Sequence, residues 1–142
     1  MRVLVDTTIW SLALRRRRRN PAEQALVDEF TELVKEFRAV LIGPIRQEVL
    51  SGIPDPQQFV TVRDHLAAFD DLPLGTQDYV EAARAYNACR AKGVQGSHID
   101  FLICAVAARH ATPVFTTDQD FVRYAKHLAL RLHVVRRSPS AK

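Results

Sequence analysis

The chain has 142 residues, of which 47% are hydrophobic and 25% charged, with a formal net charge of +4 and a pI of about 9.4. Those values suit one compact domain with a real core and exclude a disordered chain. No apolar run approaches the roughly 18 residues that would suggest a membrane-spanning helix.

The opening Val3-Leu4-Val5 runs directly into Asp6, Thr7 and Thr8. A short unbroken apolar run ended by a turn signal reads as a strand buried on both faces, as in a parallel sheet. Asp6 then sits at the strand's C-terminal end, the edge where open α/β sheets take ligands. Capping of the next element is the other reading, since Asp, Ser and Thr favour turns and helix starts. Asp6 also interrupts the apolar opening and no small-residue cleavage site follows, so the N-terminus does not read as a secretory signal. Ile9, Trp10, Leu12 and Leu14 are expected to cover the sheet edge.

Arg15, Arg16, Arg17, Arg18 and Arg19 carry much of the basic excess. Such a run is either a solvated segment or a phosphate-contacting one, because guanidinium groups bind phosphate bidentately. Asn20-Pro21-Ala22-Glu23 is a helix start with Asn as N-cap, and Ala25, Leu26, Phe30, Leu33, Val34 and Phe37 recur at helical spacing as a core stripe. Ala39-Val40-Leu41-Ile42 reads as a second strand. Gly43-Pro44 breaks it and starts a short helix from Ile45 to Leu50 that carries Glu48.

Asp55-Pro56 opens another helix, with Phe59, Val62, Leu66 and Phe69 on one side. Residues 70–75 form a turn with a short strand and exposed acids. Thr76 is expected to cap a helix to about Lys92, with Val80, Ala83, Tyr86 and Cys89 or Arg90 along one face and Gly93 after its end. Ser97-His98-Ile99-Asp100 has the form of a capping box before a helix that is apolar nearly all round from Phe101 to Ala108. His98 reads as a loop or capping residue. A charge in the first turn of so buried a helix must be paired or neutralised, and a metal ion would do that for Asp100.

Val114-Phe115-Thr116 is a further strand, followed at once by Asp118 and Asp120. A helix through about His127 packs Phe121, Ala125 and Leu128, and Leu132 to Val135 form a last strand. Cys89 and Cys104, the only cysteines, fall in helical patterns and read as core thiols, consistent with a soluble protein of the reducing cytoplasm.

The βαβα order implies a parallel sheet flanked by helices, about five strands in all. Strand C-termini lie along one edge of such a sheet. Asp6, Glu48 and Asp118 follow strands and Asp100 opens the most buried helix, so four acids scattered along the chain can converge. Close carboxylates repel one another, and a divalent cation such as Mg²⁺ or Mn²⁺ relieves that repulsion. No Cys/His zinc spacing, nucleophile elbow, phosphate-binding loop or dinucleotide fingerprint is present.

Four segments, in order, resemble the PIN domain: Val-Leu-Val-Asp6-Thr-Thr-x-Trp10, Pro44-x-x-x-Glu48, His98-Ile-Asp100-x-x-Ile-Cys-Ala-x-Ala107 and Thr116-Thr-Asp118-x-Asp120-Phe121. More narrowly, they resemble the VapC toxins of toxin–antitoxin systems. The resemblance implies one three-layer domain over residues 1–142 and a Mg²⁺- or Mn²⁺-dependent endoribonuclease. It also implies a cognate VapB-like antitoxin and, commonly, a homodimer. Asp6, Glu48, Asp100 and Asp118 would be the catalytic acids, and Asp6, Asp100 and Asp118 the metal ligands. Thr7, Thr8 and Asp120 would be auxiliary. The arginine run is outside the family pattern, so its role stays open, with Arg15 to Arg19 as candidates to guide an RNA backbone. A non-catalytic RNA-binding module on the same fold and a DNA nuclease are the rival readings.

Overall fold

The computed structural model describes residues 1–14 and 18–136. Three strands, β1 (Val3–Val5), β2 (Ala39–Val40) and β3 (Val114–Phe115), form a parallel sheet in the order β2-β1-β3. Val3 pairs with Ala39 and Leu4 with Val40 on one side, and on the other Leu4 pairs with Val114 and Val5 with Phe115. Two single parallel bridges extend the sheet, Leu41 with Asp71 and Val114 with Leu132. Five positions therefore lie side by side, but the outer two are single bridges where the sequence suggests short strands. From β1 the chain first builds outward through β2 to Asp71, then returns to the other side of β1 for β3. The reversal places a topological switch point between β1 and β3, beside the carboxyl ends of both.

All three residues of β1 are 0% exposed, as expected of a strand covered on both faces. α1 (Thr7–Leu14) begins immediately after Asp6 and turns Ile9, Trp10 and Leu12 inward. The Trp10 indole donates to the Val5 carbonyl at 2.9 Å and meets Phe30 and Phe69 edge-on, each at 4.9 Å between centroids. Burial of each large apolar side chain contributes roughly 1.5–3 kcal/mol.

α2 (Pro21–Lys35) starts with the expected capping box: Asn20 accepts from the Glu23 amide and Glu23 from the Asn20 amide. Its inner face is rotated relative to the sequence-derived stripe. Val27, Glu29 and Leu33 are buried, Ala25 is exposed, and Phe37 is 93% exposed. Phe37 adopts φ of 57°, which ends the helix and turns the ring outward. Buried Glu29 is matched by partners at the other end of the chain. It accepts from the Arg136 backbone amide at 3.1 Å and guanidinium Nε at 3.1 Å, and its Oε2 lies 2.7 Å from His133 Nε2.

α3 (Gly43–Ser51) and α4 (Pro56–Leu66) follow, the latter capped by Asp55 as its sequence suggests. α5 (Thr76–Ala91) is capped by Gly75 rather than Thr76, with the Asp78 carboxylate accepting from the Gly75 amide at 2.9 Å. Asp78, Ala82 and Cys89 are its buried residues, while Val80 and Ala83 face solvent. α5 packs extensively on α6 (His98–Arg109), whose residues from Phe101 to Ala107 are all buried. Arg109 Nε donates to buried Asp78 at 2.6 Å and fastens the two helices together. Gly93 adopts φ of +76° just beyond the end of α5. α7 (Asp120–Ala125) closes the helical set. Cys89 and Cys104 are both buried and free. No described helix is long and apolar enough to cross a membrane.

Candidate active site

The ends of β1 and β3 bring the first acids to the switch point. Asp6 is the residue after β1, is only 6% exposed, and faces the N-terminus of α1. Its Oδ2 accepts from the Thr116 hydroxyl at 2.7 Å and from the Thr8 hydroxyl at 3.0 Å. Burial pushes the Asp6 carboxyl above its ordinary range, against the hydrogen bonds of Thr116, Thr8 and the α1 amides. The local positive end of a helix and two hydroxyl donors thus only partly offset the removal of this charge from water.

The same hydroxyls tie Asp6 to the other strand. Thr116 Oγ1 accepts from the Asp118 amide at 3.0 Å, and Thr8 Oγ1 accepts from the Thr117 amide at 3.0 Å. The loop after β3 is therefore hung on Asp6 and the first turn of α1 through two threonine side chains. Asp118 turns back to accept from the Asp120 amide at 2.9 Å, which starts α7. Thr7 Oγ1 is buried with no hydrogen-bond partner among the described residues.

Asp100, Asp118 and Asp120, all half-buried, each offer an oxygen, and these lie within 4.8 Å of one another. Neither Asp6 nor Glu48 belongs to that close set. Asp6 reaches it through Thr116, and Asp100 and Asp6 share an electrostatic neighbour in Cys104. Burial first, then Asp100, with Asp6 contributing further, raises the Cys104 thiol and keeps it protonated. Asp120 is paired with Arg123, whereas Asp100 and Asp118 have no ionic partner among the described residues. Three converging carboxylates with no thiol or imidazole among them fit a hard divalent cation, Mg²⁺ or Mn²⁺, better than zinc.

Asp100 departs from the capping box its sequence suggests. Ser97 accepts from the Asp100 amide at 3.1 Å, but the Asp100 side chain does not reciprocate. Its Oδ2 accepts from the Tyr124 hydroxyl at 2.7 Å. Burial, then the hydrogen bond to Asp100, pushes the Tyr124 phenol up, so it remains a donor. His98 lies at the exposed start of α6, stacked on Tyr86 at 5.2 Å between centroids.

Glu48 projects from α3, is exposed, and has no hydrogen-bonding or ionic partner among the described residues. Of the arginine run, Arg15, Arg16 and Arg17 lie outside the described residues. Arg18 is exposed. Arg19 folds back onto the C-terminus of α1, donating to the Ala13 carbonyl at 2.9 Å and the Leu12 carbonyl at 3.3 Å. Those groups are helix-end carbonyls that need a donor, so Arg19 has a capping task.

Thr116 and Tyr124 are not among the site residues that the sequence suggests. Thr116, two positions before Asp118 at a strand end, carried a signal, since hydroxyl residues there can bond neighbouring turns. Tyr124 carried none, because it continues the apolar spacing of Phe121 and reads as packing.

Fold and site together define a parallel α/β domain with a cluster of carboxylates at the C-terminal edge of its sheet. The PIN domain family model matches residues 3–127, and the chain belongs to the PIN domain family. No curated protein matches the sequence. Among solved structures, a chain of FitAcB from Neisseria gonorrhoeae superposes with a TM-score of 0.74 at 19% identity, covering 92% of this chain and 95% of that one. A chain of VapBC2 from Rickettsia felis, bound to a DNA fragment from their promoter, gives 0.71 at 14% identity, with coverages of 94% and 98%. One from VapBC-5 of Mycobacterium tuberculosis, of the VapBC family of toxin–antitoxin systems, gives 0.65 at 19% identity, with coverages of 92% and 95%. At these identities the likeness is one of fold.

Proposed function

We propose that the chain is a metal-dependent endoribonuclease that acts as the toxin of a type II toxin–antitoxin system and hydrolyses RNA phosphodiester bonds. The observation that carries this reading is the convergence of Asp100, Asp118 and Asp120 beside the switch point, with buried Asp6 hung on the same loop through Thr116. Membership of the PIN family and the fold shared with chains of FitAcB and VapBC complexes support it.

In this reading Asp6, Asp100 and Asp118 hold Mg²⁺ or Mn²⁺, Asp120 is auxiliary, and Thr7 and Thr8 support the site. A bound divalent ion supplies an acidified water and a counter-charge for the phosphorane-like transition state. Thr8 and Thr116 hold Asp6 in one orientation and keep its Oδ2 occupied. Tyr124 does the same for Oδ2 of Asp100. The Asp118 carboxylate is fixed by the Asp120 amide. Glu48, with no partner of its own among the described residues, is the free carboxylate available to orient a water or accept a proton.

Arg18, with Arg15, Arg16 and Arg17, guides the RNA backbone, while Arg19 chiefly caps α1. A VapB-like antitoxin silences the enzyme, the working form is a homodimer, and its place is the cytoplasm. Two free buried thiols suit that compartment.

The test is incubation of purified, antitoxin-free chain with a mixed small-RNA and ribosomal-RNA pool, in Mg²⁺, in Mn²⁺ and in EDTA, with Asp6→Asn in parallel. Discrete fragments that require both metal and Asp6 are expected. RNA retained but uncut under every condition would overturn the enzyme in favour of an RNA-binding module. Preferential cutting of a competing DNA would assign a DNA nuclease instead.

A further inference from the structure

We propose that Tyr124 is a positioning residue for Asp100, restraining that carboxylate so that one oxygen is kept for a divalent cation, and that Gly96 supplies the space Tyr124 needs. The inference rests on the metal-site reading above. Tyr124 is 0% exposed, and its hydroxyl donates to Asp100 Oδ2 at 2.7 Å. No other described group bonds to the Asp100 side chain, so Oδ1 has no protein partner there.

The ring that carries this hydroxyl has little freedom. Phe101, the residue after Asp100, lies 4.8 Å away between centroids, and Phe121 lies 5.2 Å away edge-on. Phe101 and Phe121 are themselves 1% and 0% exposed. Gly96 lies against the hydroxyl end of the ring. A Cβ there would sit 2.7 Å from Tyr124 Cζ and 3.0 Å from Phe101 Cε2, so any larger residue displaces a ring that has nowhere to go.

The Asp100 side chain does not take the local bond its position offers. At the start of a helix behind Ser97, the Asp100 carboxylate would ordinarily turn back to the N-cap amide and close a capping box. Here it forgoes that bond for Tyr124. Asp118 and Asp120 approach within 4.8 Å, and like charges at that spacing drive a free carboxylate to rotate away into water. A donor fixed in the core opposes the rotation before any cation arrives. Partners of this kind are worth roughly 10- to 100-fold in metal affinity.

The experiment measures Mn²⁺ affinity of the full chain by the electron paramagnetic resonance signal of free Mn²⁺, without RNA, for wild type, Tyr124→Phe, Gly96→Ala and Asp100→Asn. Circular dichroism and thermal midpoints run alongside. Tyr124→Phe keeps the ring and removes only the hydroxyl. The expected result is about 10-fold weaker Mn²⁺ binding with an unchanged folded spectrum. Gly96→Ala, where it folds, shows the same loss. Wild-type affinity in Tyr124→Phe, with binding lost in Asp100→Asn, overturns the positioning role and leaves the metal reading standing. Failure of the wild type to bind Mn²⁺ overturns the metal reading and the positioning role with it, and wild-type binding by Asp100→Asn overturns the positioning role by removing Asp100 as a ligand.

Discussion

The Thr116 hydroxyl lies 2.7 Å from Asp6 Oδ2, so a residue just after β3 holds the carboxylate just after β1. The Thr116 hydroxyl oxygen in turn accepts from the Asp118 amide at 3.0 Å. One small side chain therefore sets the relation between two acids that are far apart in sequence and belong to different strands. Thr116→Val keeps the branched shape and removes both bonds. Cleavage of RNA is expected to fall roughly 10- to 100-fold, as for loss of a group that orients a metal ligand. Thermal denaturation should show a loss of about 1–2 kcal/mol, because the Asp118 amide and Asp6 are left short of a partner. Wild-type activity in this variant would show that Asp6 is held well enough by Thr8 alone.

Asp6 itself is expected to separate function from stability. Its carboxyl is buried and pushed up by that burial, so the charged form opposes folding when no cation is present. Asp6→Asn retains an oxygen to accept from Thr8 and Thr116 and removes the charge. In metal-free buffer at pH 7 its thermal midpoint should lie above that of the wild type, while RNA cleavage is abolished. A lowered midpoint would mean that the hydroxyls and the α1 amides already compensate the charge fully.

Glu48 should behave in the opposite way from a structural residue. It is exposed and makes no ion pair with a described residue, so Glu48→Gln is expected to change stability by less than about 0.5 kcal/mol. A drop of about 100-fold or more in cleavage, in the range of general acid–base groups, would mark it as part of the working acid set. Unchanged cleavage rates would remove it from that set.

The Glu29 contacts predict a pH dependence remote from the acidic cluster. Burial pushes the Glu29 carboxyl up, but hydrogen bonds from Arg136 and His133 outweigh it and hold the carboxyl below its ordinary 4.5. The folded protein therefore binds this proton less readily than the unfolded chain does. Stability from the contact is present above the unfolded value and is lost as pH falls through the lower folded value. Glu29→Gln should cost about 2 kcal/mol at pH 7, and the difference from wild type should shrink below about pH 4. Chemical denaturation at pH 7, 5 and 3.5 measures it, and a cost independent of pH would exclude the ionised carboxylate as its source.

Local signals in the chain were enough for much of the fold. Val3-Leu4-Val5, a short apolar run ended by a turn signal, reads as a buried strand, and all three residues are fully buried. Asn20-Pro21-Ala22-Glu23 contains its own capping chemistry, and both reciprocal bonds form. The uninterrupted apolar run after Asp100 had to be central, and Phe101 to Ala107 are buried throughout. Periodicity was less informative where a helix has only a narrow buried face. In α5 the inner stripe runs through Asp78, Ala82 and Cys89, because Asp78 is neutralised by Arg109 on the neighbouring helix. In α2, Glu29 is inside because Arg136 and His133 come to meet it. A burial pattern read from hydrophobicity alone misses an acid whose partner lies on another element.

The sequence by itself determined that acids follow buried strands, and that such acids gather at one edge of a parallel sheet, because strand direction and turn chemistry are local properties. Only the tertiary structure decided which of them meet. Asp100, Asp118 and Asp120 share one small volume, while Asp6 joins them through Thr116 and Glu48 stands apart from that set. It also decided that Asp100 turns to Tyr124 instead of to its own N-cap, and that Arg19 leaves the basic run to close α1. Those choices depend on distances of a few ångströms between residues on different elements, and no local pattern in the chain encodes them.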